Sequence, residues 1–246
     1  MVMETTTEFE DVSYIPPEDL VYLRKMFQIY HVLLLYISPF IIVLGTTGNI
    51  LSFCVLQTPF FKKTACGFLL KVLAVVDTGC LNCGLLRFWI MEIASLDKLD
   101  VRNLSEASCK IHSWLTTLFP QLSSWTLALV NIDRAVSVAF PINSRIIWTK
   151  TRVISVWVAI CLSLVTLNSH HLVVQSIQEF SYGTFSFNVC IPAEKYMHFA
   201  QDIWPWVDFI VVDAVPCIVI IVSNVVIIYH LVQSNKHRTR TVVGHH

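Results

Sequence analysis

Four long stretches without any charged side chain constrain this sequence more than any other feature. Each runs for more than 20 residues without Asp, Glu, Lys or Arg, and they lie at 26–61, 111–132, 153–178 and 214–235. Because an α-helix rises 1.5 Å per residue, about 20 residues cross a hydrocarbon core of about 30 Å. Strands of a membrane barrel are only about 10 residues long. The stretches therefore predict membrane-spanning helices.

A further segment completes an all-α bundle. It is mostly apolar, although it contains Lys71, Asp77 and Arg87. We predict five helices within a transmembrane domain at 28–234, at about 28–57, 64–93, 109–139, 150–172 and 202–234. Residues 1–27 would form an N-terminal tail, and 235–246 would begin a loop.

A soluble core of buried helices is the alternative to a membrane bundle. Only 14% of the residues are charged, whereas soluble proteins have about 25%. The stretch 153–167 also lacks the polar face that a soluble surface helix carries. Lys plus Arg and Asp plus Glu both number 17, so no net charge would attract nucleic acid. The expected surroundings are a lipid bilayer.

Basic residues in the loops predict the orientation, because cytoplasmic loops are enriched in Lys and Arg. Nine basic residues fall on the side that would face the cytoplasm, and six fall on the other side. The N-terminus is therefore expected outside a multi-pass protein of the plasma membrane. Asn103 begins an Asn-x-Ser glycosylation sequence in a loop assigned to the outside, which agrees.

The third predicted helix has candidate functional residues at both ends. Cys109 opens it, and Asp133-Arg134 close it 25 positions beyond Cys109. That separation is about 37 Å along a helix, one membrane with an interfacial turn at each end. Asp77 in the second helix lies far from either edge of its segment. An ionisable side chain so deep in a membrane is costly, which indicates a function.

The chain resembles the rhodopsin-like, class A family of G-protein-coupled receptors over about residues 28–235. The resemblance rests on anchors that fall in order along the helices: Gly48-Asn49, Leu73-Ala74-Val75-Val76-Asp77, Cys109, Asp133-Arg134, Trp157, Cys190 and Pro216. Such receptors have seven helices. We therefore expect a fragment truncated after the fifth helix, from either an incomplete gene model or a shortened isoform.

The resemblance implies roles for several anchors. Cys109 and Cys190 would form a disulfide that ties the second outer loop to the third helix. Arg134 would pair with Asp133 at rest and face a heterotrimeric G protein on activation; an interfacial basic anchor is the alternative. Trp157 and Pro216 would serve helix packing and bending.

The resemblance also implies a layer of polar side chains between the helices. Asp77, Ser123 and Asn49 match part of the family's sodium site, and a plain interhelical hydrogen-bond cluster is the alternative. We expect no other metal site and no cofactor.

The ligand pocket is expected among Arg87, Thr116, Pro120, Gln121 and Asp208. Thr116 stands where amine receptors have an aspartate, which disfavours a monoamine. Arg87 could meet a ligand carboxylate and Asp208 a ligand Arg or Lys, unless each forms an ion pair with the other or with a neighbour. The loop EFSYGTFSFNVC predicts a β-hairpin lid like those of peptide receptors. With an FMRFamide-receptor-like segment at 60–78, this favours a neuropeptide, such as an amidated Arg-Phe peptide.

Signal transduction without catalysis is the predicted function. The sequence contains neither H-E-x-x-H nor G-x-S-x-G, two motifs of hydrolytic enzymes. A polytopic transporter is the chief rival, but it would need repeated halves or broken helices, and no internal repeat is found. A truncated, non-signalling or dominant-negative isoform is a further alternative. We expect the 246-residue chain not to signal by itself.

Overall fold

The computed structural model describes residues 17–94, 100–141, 146, 148–182 and 185–243. Residues 1–16, most of the predicted tail, lie outside this range. Apart from one β-hairpin, the described chain is helical, so the all-α, polytopic fold class is confirmed. The five long helices are α1 (17–55), α2 (65–94), α3 (Glu106–Ala139), α4 (Lys150–Asn168) and α5 (199–243).

Three of the long helices contain π-helical turns. In α1 and α2 these turns span Leu33–Ile37 and Leu81–Leu85, and in α5 they span Phe199–Ile203 and Phe209–Ala214. Such turns are rare and often occur at functional sites. Shorter helical turns lie at Pro59–Lys62, Val101–Leu104, His171–Val174 and Glu194–Tyr196.

Within the described residues, four helical stretches are long and apolar enough to cross a membrane. They are Val21–Val55, Ala65–Ile93, Lys150–Val174 and Glu194–Ser234. The remaining long helix, α3, is less apolar because it occupies the centre of the bundle. It packs against α2, α4 and α5, and it buries polar side chains such as Gln121 and Thr126 against those neighbours.

Two apolar clusters join α2, α3 and α4. One contains Leu69, Leu129 and Val153, and the other contains Val76, Leu118 and Leu164. Each cluster takes side chains from all three helices. Burying a side chain of this size is worth about 1.5–3 kcal/mol relative to leaving it in water. These clusters fix α3 against its neighbours and so set the positions of its polar residues.

The helix ends differ from the predicted ones at both ends of the chain. Within the described residues α1 begins at Pro17 rather than near 28, because proline suits the first turn of a helix and neither Gly nor Pro occurs in 18–28. α5 runs on to Val243 rather than ending near 234. α4 ends at Asn168, and a separate turn, His171–Val174, covers the remainder of its predicted span. The stretches without charged residues therefore predict which part of a helix can lie in a membrane better than they predict where the helix begins and ends.

The predicted hairpin is confirmed. Strands β1 (Gln175–Tyr182) and β2 (Phe185–Pro192) pair in antiparallel register, with Ile177 opposite Cys190. Residues 183 and 184, including the predicted turn glycine, lie outside the described residues. Ala193 N–H donates to the Val174 carbonyl at 2.9 Å and closes the base of the hairpin. We call this end of the bundle the hairpin end.

Candidate functional site

The hairpin is fastened to the start of α3 and to the turn before it by a disulfide and by hydrogen bonds. Cys109 and Cys190 are joined, with their Cα atoms 5.5 Å apart, and both are almost completely buried. Cys190 N–H donates to Asn103 Oδ1 at 2.8 Å, and Ile177 N–H donates to Glu106 Oε1 at 3.0 Å. Asn103 thus supports the hairpin, and its glycosylation stays a prediction.

A buried ion cluster lies beside this disulfide, between α2 and α3. Arg87 donates to both carboxylate oxygens of Asp100, at 2.8 Å and 2.6 Å, and Arg102 donates to Asp100 at 3.1 Å and 3.0 Å. Burial alone would raise the pKa of Asp100. The hydrogen bonds from Arg87 and Arg102 outweigh it and hold that pKa well below its ordinary value.

The ion cluster decides between two interpretations of Arg87. Its side chain is only 7% exposed, and its guanidinium is engaged by Asp100. This favours the neighbouring ion pair, an alternative that the sequence left open, over a free charge that could meet a ligand. Arg87 and Asp208 do not pair with each other: Asp208 has a different partner.

Asp208 ends a directed chain of polar side chains that crosses from α4 through α3 to α5. Asn168 Nδ2 donates to Gln121 Oε1 at 2.5 Å, and Gln121 Nε2 donates to Asp208 Oδ1 at 2.9 Å. Asn168 and Gln121 are fully buried, whereas Asp208 is partly exposed. The structure therefore brings together two of the predicted pocket residues, Gln121 and Asp208.

Thr116 and Pro120, two further predicted pocket residues, act on the backbone of α3. The Thr116 hydroxyl bonds to its own helix, at the carbonyls of His112 and Ser113. Pro120 lies within α3 and is exposed. Because a helical proline leaves the carbonyl four residues earlier without its usual donor, the Thr116 carbonyl is freed at the same level.

In α5, the fully buried Pro216 follows the π-helical turn Phe209–Ala214. The Trp125 indole N–H donates to the Val211 carbonyl in that turn at 3.0 Å. A side chain of α3 thereby compensates for part of the irregular backbone of α5.

The predicted polar layer forms in part. Ser123 Oγ donates to Asp77 Oδ1 at 2.5 Å. The helices approach closely here, since a Cβ on Gly79 would lie 2.6 Å from the Phe119 ring. Asn49 instead lines a separate cavity of about 440 Å³ between α1 and α2. Asp77 and Ser123 form a hydrogen-bonded pair, and a sodium site there stays a prediction.

Trp157 packs α4 onto the core. Its indole N–H donates to Thr126 Oγ1 at 3.0 Å, and its ring meets Phe68 edge-on at 5.9 Å between centroids. Thr126 is fully buried and donates in turn to the Leu122 carbonyl at 2.6 Å. Trp157 thus bridges α2, α3 and α4.

Replacing Trp157 with phenylalanine should lower the free energy of unfolding by about 1–3 kcal/mol, because Thr126 then loses a buried donor. Equilibrium unfolding in mixed micelles measures the effect. Trp206, which is 68% exposed, provides the control: Trp206→Phe should change stability by less than about 0.5 kcal/mol. Equal effects of the two substitutions would contradict the bridging role.

Asp133 and Arg134 lie at the end of α3 opposite the hairpin. Asp133 is buried and Arg134 is exposed, and both line a cavity of about 470 Å³ with Cys66, Asn131, Ser137, Val138, Asn224 and Ile227. Among the described side chains, the ion pairs within 4.0 Å do not include one between these two residues. The cavity is formed by α2, α3 and α5.

Sequence reasoning missed three side chains that carry these interactions: Asp100, Asn168 and Thr126. Asn168 could have been noticed, because a polar amide at the end of an apolar span must find a partner. Thr126 and Asp100 gave no such signal. Their roles become visible only in the structure, where Trp157 contacts Thr126 and Arg87 contacts Asp100.

Comparison with known proteins identifies the family. A sequence profile described as serpentine type 7TM GPCR chemoreceptor Srsx matches residues 42–244, most of the chain. No curated protein shows significant similarity to the chain. The matched range covers the last third of α1 and all of α2, α3, α4 and α5. The chain belongs to the Srsx family of serpentine, seven-transmembrane G-protein-coupled chemoreceptors.

Proposed function

We propose that this protein is a plasma-membrane receptor that binds an extracellular ligand at the hairpin end and couples to a heterotrimeric G protein at the opposite end. The N-terminus and the hairpin would then face outward. One observation supports this more than any other: a single helix, α3, carries the hairpin disulfide at Cys109 and the cavity with Asp133 and Arg134 at its other end.

A neuropeptide is the ligand that we favour. The hairpin presents the aromatic rings of Phe180 and Phe187, stacked with centroids 6.1 Å apart and both 44% exposed. Exposed backbone and aromatic surface suit an extended peptide better than a compact molecule. The second candidate is a small chemical cue, which the family's description as chemoreceptors favours.

Screening the receptor in lipid nanodiscs against a neuropeptide library and a library of small volatile and water-soluble compounds separates these candidates. We expect saturable binding of an amidated peptide. Binding by small compounds alone would replace the peptide with the chemical cue. Binding by amines alone would overturn the neuropeptide, and binding by lipids alone would overturn both candidates.

A substitution at Arg134 tests the proposed binding site for the G protein. Because it is exposed beside the cavity, its guanidinium is available for hydrogen bonds to backbone carbonyls or carboxylates of a partner. Charge-assisted hydrogen bonds of this kind contribute about 1.5–3 kcal/mol. Arg134→Ala should therefore weaken binding of a purified, nucleotide-free G protein at least about tenfold.

Lys63 provides the matched control, because it is an exposed cation at the same end and is not among the residues that line the cavity. Lys63→Ala should change the affinity less than about twofold, the scale of an exposed surface charge. A similar loss in both variants would indicate general electrostatic attraction to the membrane surface. No loss in Arg134→Ala would contradict the proposed coupling site.

A further inference from the structure

The Asp208 carboxylate has a neutral hydrogen-bond partner and no cationic partner among the described side chains. It lies in the apolar stretch Glu194–Ser234, and it accepts a hydrogen bond from the Gln121 amide at 2.9 Å. Among the described side chains, no Lys, Arg or His nitrogen lies within 4.0 Å of it. A charged side chain at such a place is costly and is normally paired with an opposite charge.

The buried amides beside Asp208 can be oriented in one way. Gln121 directs its NH₂ group toward Asp208, because an ionised carboxylate only accepts hydrogen bonds. Its oxygen is then left to receive Asn168 Nδ2, which also donates to the Leu164 carbonyl at 2.8 Å. The chain of donors therefore points from α4 to Asp208 and fixes one of the two oxygens of Asp208.

The hydrogen-bonding capacity that remains at Asp208 and Asn168 is of the accepting kind. Asp208 Oδ2 has no protein donor among the described residues, and Asn168 Oδ1 is buried without a partner. Gln121, between them, uses its NH₂ group and its oxygen within the chain. A cluster with spare acceptors and an uncompensated negative charge fits a group that carries several N–H donors and a positive charge.

The surroundings of Asp208 fit an organic cation better than a metal ion. Trp204 lies four residues before Asp208, on the same face and one turn nearer the hairpin end. Its ring contacts His170 at 3.9 Å and His171 at 5.5 Å between centroids. In the described part of the chain, no three His, Cys, Asp or Glu side chains cluster to hold a metal. Aromatic rings near a carboxylate are typical of sites for guanidinium and ammonium groups.

We propose that Asp208 is the anchor for a positively charged group, an ammonium or a guanidinium, of the receptor's ligand. Gln121 and Asn168 position the carboxylate, and Asp208 makes the ionic contact. This inference rests on the proposed ligand-binding function at the hairpin end. It specifies a chemical group that the ligand must contain, whether the ligand is a peptide or a small molecule.

The test compares charged ligand analogues with neutral ones of the same shape. The peptide pair is Arg-Phe-amide and citrulline-Phe-amide, and the small-molecule pair is 2-phenylethylguanidine and 2-phenylethylurea. Binding is measured on the receptor in lipid nanodiscs, for the wild type and for Asp208→Asn. Asparagine keeps the acceptor for Gln121 and removes the charge. Removing one partner of a desolvated ion pair typically weakens binding about 30-fold or more.

We expect the wild type to prefer the charged member of at least one pair about 30-fold or more, and Asp208→Asn to bind both members equally. Asp202→Asn is the matched control: it removes an exposed carboxylate of the same helix and should leave the preference unchanged. Gln121→Leu should reduce the preference while leaving part of it, because positioning is lost and the charge remains.

The outcomes separate the anchor from the ligand class. Binding of the small guanidine with a preference that depends on Asp208, without binding of either peptide, keeps the anchor and overturns the neuropeptide. Binding of both members of a pair with equal affinity in the wild type overturns the anchor while the receptor function stands. A preference that persists in Asp208→Asn, or no binding of either cation, also overturns the anchor.

Discussion

Replacing Cys109 with serine is expected to lower the free energy of unfolding by up to about 4 kcal/mol, because the Cys109–Cys190 bond closes a loop of 81 residues. In the chain-entropy account, the unfolded chain gains the freedom that this cross-link removes. The loop contains most of α3, all of α4 and most of the hairpin. Losing the bond therefore releases the hairpin, which is otherwise held by the hydrogen bonds at Asn103 and Glu106.

Equilibrium unfolding in detergent micelles with increasing SDS measures the change. Cys190→Ser should give the same loss, and the double variant should lose no more than either single one, since all three remove one bond. Cys83→Ser, which replaces a free cysteine, is the control and should leave the sensitivity to a reductant unchanged. Additive losses in the double variant would show that the two side chains act separately.

The same bond affects ligand recognition. β2 carries Cys190, and the hairpin and the chain Asn168–Gln121–Asp208 are attached to the same helix, α3. In Cys109→Ser we expect weaker binding of both the charged and the neutral probe, with their ratio preserved. The disulfide positions the lid, whereas Asp208 selects the charge. A change in the ratio would indicate that the hairpin itself contributes to charge recognition.

The number and order of the helices were predictable from the sequence, because the stretches without charged residues match the thickness of a membrane. The five helices, the hairpin and the end-to-end span of α3 follow from segment lengths and from turn chemistry. Helix ends were less predictable. Residues 17–27 and 235–243 are polar enough to leave the membrane, yet nothing in them breaks a helix. Whether a segment can lie in lipid and whether it forms a helix are separate properties. The distribution of charged residues predicts only the first.

Side-chain partners were the least predictable part. Arg87 was a candidate for the ligand pocket because it lies in an apolar segment, but its partner, Asp100, lies in a loop whose path the sequence does not specify. Gln121 and Asp208, 87 positions apart, meet because Leu118, Leu164 and their neighbours fix the helices against one another. Pairing across helices depends on rotation about each helix axis, which composition does not reveal.

Asp100→Ala should be among the most destabilising single substitutions in this chain, at about 3–5 kcal/mol. It would leave the buried Arg87 guanidinium, 7% exposed, without its bidentate partner, and an uncompensated buried charge has a cost of that size. It would also remove the side-chain acceptor for Arg102 N–H, 3.0 Å away, at the start of the turn Val101–Leu104. Asp100→Asn retains a side-chain acceptor and should lose less.

The dependence on pH follows from the direction of the Asp100 shift. Its pKa is held low in the folded protein, so the stability it contributes is present above the ordinary aspartate pKa of about 3.9 and is lost as the pH falls through the folded value. The difference in stability between the wild type and Asp100→Asn should therefore stay constant from pH 7 to about pH 5. A difference that disappears within that range would show that Asp100 is protonated in the folded protein.

A double variant separates the ion pair from general packing. Arg87→Met with Asp100→Asn removes both charges, so its loss should be smaller than the sum of the single losses, because neither single variant leaves the remaining charge a full set of partners. Lys110→Met is the matched control, since it breaks the exposed Glu106–Lys110 pair at 3.7 Å. An exposed pair contributes about 0.5 kcal/mol or less. Additive losses at Arg87 and Asp100 would mean that the two residues stabilise the hairpin end through separate contacts.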